Sequence, residues 1–238
     1  MPDNKSDSDA QIRSRIDGIT THWSVVKNTS NFTLRYAPAI RNYIAAMATN
    51  PSDVEDILQD FLFRVVKSGF HRDRIDDGKF RYYLKATIRN AVRSHYRRKS
   101  TNLQEETVLT QLPSRQHETL DDQWTAQWRE CLLDRTWSAL ERYQNDSPNR
   151  LAYTILKLST DFPQETSAQL AIRATQLAGR PISGDSFRQQ VHRSRKKFAE
   201  LLIDEVVATL DQPSTADVEA ELIDVELIGY VRDFLREI

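Results

Sequence analysis

Between Lys79 and Lys99 the 238-residue chain carries eight lysines and arginines and no acid, with Phe80, Tyr82, Tyr83 and Tyr96 set among them. Cations attract phosphate whatever the base sequence, and aromatic faces stack on unpaired bases at about 1–3 kcal/mol per base. A helix built this way suits separated nucleic-acid strands. A second acid-free run holds five Lys/Arg from Arg188 to Lys197. There Ser186, Arg188, Gln189, Gln190 and His192 come first, types that hydrogen-bond base edges in a major groove. Arg193, Lys196 and Lys197 follow and suit phosphates. The opposite sign is also segregated: four acids and no base from Asp53 to Asp60, and eight acids against two arginines from Asp211 to Ile238. Such segregation calls for partners of both signs, because an ordinary solvated surface mixes its charges.

Other chemistries find little support. His22, His71, His95, His117 and His192 are scattered without metal-ligand spacing, and the lone Cys131 excludes an internal disulfide or a cysteine metal cage. No metal and no cofactor is expected. There is no phosphate-cradling glycine loop and no nucleophile elbow. An enzyme acting on nucleic acid would need carboxylates close to the basic surface, whereas helical spacing turns the Asp53–Asp60 cluster outward.

The elements that must hold these residues read as helices. Six glycines and eight prolines are few for the length and disfavour a turn-rich β fold. Phe32 to Ala48 has helical periodicity, with Pro38 marking a kink or a boundary. Asp53 to Lys67 places Val54, Ile57, Leu58, Phe61, Leu62 and Val65 on one face, with Ser52 as its N-cap. Phe80 to Lys99 forms a long helix with Tyr83, Leu84, Ile88, Val92 and Tyr96 as its core stripe. Trp124 to Leu140 and Leu151 to Leu158 follow. Thr166 with Gln169 makes a capping-box pattern, and Ser183 caps the helix bearing Phe187, Val191, Phe198, Leu202 and Val206. Val218 to Leu235 predicts one more amphipathic, acidic helix.

The expected fold class is therefore all-α: two small helical domains joined by a flexible linker, plus an acidic C-terminal helix. The boundaries are a leader over 1–21, a first domain over 22–100, a linker over 101–123, a second domain over 124–210 and the acidic extension over 211–238. With no signal-peptide core and no run long enough to span a bilayer, a cytoplasmic location without membrane contact is expected.

In order and residue type, VEDILQDFLFRV (Val54 to Val65) followed by FRYYLKATIRNAV (Phe80 to Val92) resembles region two of bacterial RNA polymerase sigma factors. TSAQLA (Thr166 to Ala171) and FRQQVHRSRKKF (Phe187 to Phe198) resemble the helix-turn-helix of region four. The match in overall plan is to extracytoplasmic-function (group four) factors, in a planctomycete-like subgroup. The resemblance implies that Glu55, Asp56, Gln59 and Asp60 face the β′ clamp of core polymerase, with a second contact to the β flap. It implies that Lys79, Arg81, Arg89, Asn90, Arg93, Arg97 and Arg98 face the minus-ten element of promoter DNA. The region-four residues already named would face the minus-thirty-five element, and an anti-sigma protein is a further partner the family admits. About six residues beyond the usual tight turn separate Ala171 from Ser183, so either the first helix or the turn is extended. The alternative reading is a stand-alone helix-turn-helix regulator. The acidic tail is expected to pack on the second domain and shield basic residues there.

Overall fold

The computed structural model describes residues 29–69, 80–99, 114–147, 149–210 and 213–234. The expected leader, Lys79 and the linker up to residue 113 lie outside them. Among the described residues the regular elements are helices: α1 (Thr29–Met47), α2 (Asp53–Ser68), α3 (Phe80–Lys99), α4 (Ser114–Asn145), α5 (Ala152–Asp161), α6 (Ser167–Ala178), α7 (Gly184–Val207), α8 (Thr215–Asp224) and α9 (Ile228–Val231). The all-α expectation holds.

The chain divides into two compact units. Among the described residues, one holds those from Thr29 to Cys131 and from Val206 to Leu227, the other those from Leu132 to Glu205 and from Ile228 to Phe234. In the first, α1 packs on α2 and α3 through Ile40, Tyr43, Ile44, Ile57, Phe61, Leu84 and Ile88, all almost fully buried. Pro38 lies inside α1 and does not end it, because Tyr36, Ala39 and Ile40 on either side are pinned in the core. Ser52 does not cap α2: its backbone is helical (φ −66°, ψ −23°) and its hydroxyl makes no capping bond. The helix instead starts from the Asn50–Pro51 turn, whose carbonyls accept from the Asp53 and Val54 N–H groups at 3.0 and 3.4 Å.

Trp124 and Trp128, expected to open the second domain, pack in this first unit. Trp128 stacks on Tyr36 at 4.5 Å between centroids, and Trp124 lies 4.9 Å from Tyr43. The helix that carries them begins at Ser114, inside the stretch expected to be linker. The first part of the acidic tail, residues 213–227, also belongs here, while α9 belongs to the second unit. Val218, Leu222, Val225 and Leu227 are buried, and the expected single helix is broken into α8 and α9. The break is a Schellman motif. Glu226 takes the left-handed conformation (φ 59°), its N–H donates to the Ile223 carbonyl and the Leu227 N–H donates to that of Leu222. A Ser214–Asp217 capping box starts α8.

The second unit is built on Ile155, Leu158, Leu170, Ala171, Ala174 and Phe187. The Thr166–Gln169 capping box is present, and Gly179 closes α6 in the left-handed conformation (φ 64°). Ser183 caps α7, its hydroxyl accepting from the Ser186 N–H at 3.2 Å. The six extra residues therefore lengthen α6, and the turn to α7 spans only 179–183. At Gly184 a Cβ would meet Ala168 backbone at 3.4 Å, so the two helices of the motif approach closely at their starts.

Candidate nucleic-acid and polymerase interface

On α2 the four residues expected to meet a protein partner, Glu55, Asp56, Gln59 and Asp60, are all exposed. Helical spacing puts Glu55 and Gln59 on one strip with Phe63 and Val66, which are 65% and 58% exposed. These two apolar residues fall outside the core stripe read from sequence. Their mismatch with that stripe was the available signal. Two of the carboxylates are paired: Arg41 Nε donates to Glu55 at 2.7 Å and Arg98 donates to Asp60 at 2.7 Å.

Asp53 behaves differently from its neighbours. It is buried, accepts from Lys99 Nζ at 2.7 Å and lies 3.8 Å from His95 Nε2. The Lys99 hydrogen bond outweighs burial and holds the Asp53 carboxyl below its ordinary range, while the same bond raises Lys99. Tyr96 completes the junction, its hydroxyl accepting from the Thr49 N–H at 2.9 Å. The start of α2 and the end of α3 are thus tied by charge as well as by packing. Helical spacing had turned Asp53 outward with the rest of its cluster; its contacts with Lys99 and His95 bury it instead.

The cations of α3 fall on two stripes. Arg81, Lys85 and Arg89, four residues apart, share one stripe; Tyr82, Asn90, Arg93 and Arg97 share the adjacent one. The second stripe is open: Asn90, Arg93 and Arg97 are exposed, and Tyr82 is 42% exposed. The first is covered. Arg81 is only 3% exposed, so its assignment as a residue facing DNA does not hold in this structure. The reason is Glu221 of α8, which accepts from Arg81 Nε at 2.9 Å and from Nη2 at 3.4 Å. Arg81 also sits 4.5 Å over the Tyr82 ring and 3.6 Å from Asp224. Burial opposes the guanidinium charge, but the Glu221 hydrogen bond and charge outweigh it and raise the Arg81 pKa. Arg89 is one-quarter exposed, donating to the Tyr43 hydroxyl at 2.7 Å and to Asp121 at 2.5 Å. Burial, the larger effect, pushes the Tyr43 phenol up against the opposing pull of Arg89. Lys85 reaches the same Asp121 at 3.2 Å.

In the second unit, Arg188, Gln189, His192 and Arg193 are exposed along α7. Arg195, absent from the expected set, is exposed with them. Ser186 and Gln190 are half-buried and bond to each other at 3.1 Å. Arg188 pairs with Asp185, and Lys197 pairs with Glu200 at 2.9 Å; Lys196 is half-buried. A cleft of about 310 Å³ beside α7 is lined by Phe162, Glu165, Leu170, Arg188, His192 and Arg195 among others. Among the described residues no group of three or more His, Cys, Asp or Glu side chains could hold a metal ion. No helix among them is long and apolar enough to cross a membrane.

Residues 32–101, spanning α1 to α3, match the family model described as Sigma-70 region 2. Compared with curated proteins and with solved structures, the chain gives no match in either. The family match supports a sigma-70 family sigma factor with a role in transcription initiation, and region 2 implies interaction with core RNA polymerase and promoter DNA.

Proposed function

We propose that the chain is an extracytoplasmic-function sigma factor of the planctomycete-like subgroup, working in the cytoplasm as a non-enzymatic subunit of RNA polymerase. The exposed strip of α2 docks on the β′ clamp. The open stripe of α3 holds the melted minus-ten element, with Tyr82 as a stacking surface and Arg93 and Arg97 on phosphates. In the second unit α6 and α7 act as the helix-turn-helix that reads the minus-thirty-five element, near the β flap. Two weak DNA contacts made together act as one strong contact through effective concentration. The same surfaces are those an anti-sigma protein would have to cover.

The observation that carries this reading is the pairing of surfaces within the residues matched to region 2. A carboxylate-edged apolar strip (Glu55, Gln59, Phe63, Val66) lies on one helix, and an aromatic-cationic stripe (Tyr82, Asn90, Arg93, Arg97) lies on the helix tied to it. The test is in vitro transcription from genomic fragments with added core polymerase. Wild type should initiate at discrete start sites, Asp60→Arg should lose polymerase capture, and Arg188→Ala should lose promoter choice while keeping capture. A purified chain that binds a promoter at nanomolar affinity without core polymerase would overturn the mechanism.

A further inference from the structure

The covered stripe of α3 faces carboxylates drawn from two distant parts of the chain. Glu221 and Asp224 come from α8, and Asp121 comes from the first turns of α4. Together they meet Arg81, Lys85 and Arg89 with the chemistry of a phosphate backbone: paired anionic oxygens set against a row of cations. Tyr82 is engaged as well, its hydroxyl donating to Asp224 Oδ2 at 3.2 Å. The far end of α8 is held by the Arg129–Glu226 pair. Resting on the sigma-factor reading, we propose that α8, with Asp121 of α4 beside it, is an autoinhibitory cover, an internal stand-in for the DNA strand that must come away from α3 before Arg81, Lys85 and the Tyr82 hydroxyl are released to the promoter.

The energetics favour a switch over a mere brace. Burying an arginine–glutamate pair forfeits the hydration of both ions, so such a pair adds little stability compared with apolar residues of the same volume. Its carboxylates can therefore be exchanged for phosphates without a large net loss. If the covered form dominates by a given factor, DNA affinity falls by about that factor until something removes the cover. The acidic tail is thus divided: residues 213–227 act on the first unit, while 228–234 pack on the second as charge balance had placed them, with Phe234 5.6 Å from His192 and Tyr230 6.3 Å from Phe198 between ring centroids.

The experiment measures binding of a labelled mixed-sequence single strand to the full-length chain across a salt series. Two variants weaken the cover: Glu221→Gln with Asp224→Asn, and Asp121→Asn with Asp224→Asn. The second pair strands no fully buried cation and carries the test if the first fails to fold. Either should bind about tenfold tighter than wild type, and its affinity should fall more steeply with salt by about one to three phosphates' worth of slope. Folded variants that bind as wild type does, while Arg93→Ala with Arg97→Ala weakens binding, would overturn the cover and leave the sigma reading standing. Failure of the wild-type chain to capture core polymerase would sink the sigma reading beneath it, and the cover with it.

Discussion

Replacing Glu221 alone should loosen α8 far more than replacing Glu221 and Arg81 together. The Arg81 and Glu221 side chains are 4% and 1% exposed, so neither can recover water if its partner is lost. Breaking a buried pair by removing one member costs about 3–5 kcal/mol. In Glu221→Ala, Asp224 at 3.6 Å, the Thr125 hydroxyl at 3.4 Å and the Tyr82 hydroxyl at 3.3 Å still face the guanidinium. The loss should therefore sit at the low end, about 3 kcal/mol, or roughly a hundredfold or more in local opening. Arg81→Met with Glu221→Leu removes both charges and keeps the volume, and should lie within about 1 kcal/mol of wild type. Hydrogen exchange of the α8 amides in the full chain reads this local opening directly. Equal loss of protection in the single and the double variant would refute the reasoning, since it would mean the pair contributes by packing alone.

Four further outcomes follow from the same contacts. Gly179→Ala forces a Cβ into the left-handed region and should cost about 1 kcal/mol in urea unfolding of the second unit. Thr166→Ala removes the capping box of α6, with a similar loss of about 1 kcal/mol. Asp53, whose folded pKa is lowered, stabilises the α2–α3 junction fully above the ordinary carboxylate value. That contribution should fade as pH drops through the ordinary value and then the lowered one, whereas the raised Lys99 keeps its own until strongly alkaline pH. Acid titration of wild type against Asp53→Asn, followed by exchange at the end of α3, checks the direction. Phe63→Ser should leave thermal stability within about 0.5 kcal/mol, because the ring is exposed, yet weaken pull-down of core polymerase.

Much of the fold was legible because its signals are local. The period of Val54, Ile57, Phe61 and Val65 fixes the buried face of α2 within a single helix, and Thr166 with Gln169 announces the start of α6 three residues apart. The exposed carboxylates of α2 follow from the same wheel. What sequence could not place depends on distant partners. Trp124 and Trp128 continue the apolar pattern of the helix that follows them, and nothing local says that their rings seat against Tyr36 and Tyr43. The left-handed Glu226 that divides the tail is likewise invisible, since glycine or asparagine is the residue expected at such a cap.

The cations of α3 show why charge runs mislead. Arg81, Arg89, Arg93 and Arg97 are chemically equivalent in sequence, and a net count treats all of them as available to DNA. A difference of one stripe on the helix separates them. Arg93 and Arg97 face outward, while Arg81 meets a carboxylate 140 residues further along the chain and Arg89 meets one 32 residues away. The acidic tail and the basic helix were each readable as half of an interface with something else. Their mutual contact makes part of that complementarity internal, so the affinity of the open stripe and the strength of the cover are separate quantities. Asn90, Arg93 and Arg97 set how tightly a strand is held; Asp121, Glu221 and Asp224 set how often the rest of the helix is free to join them.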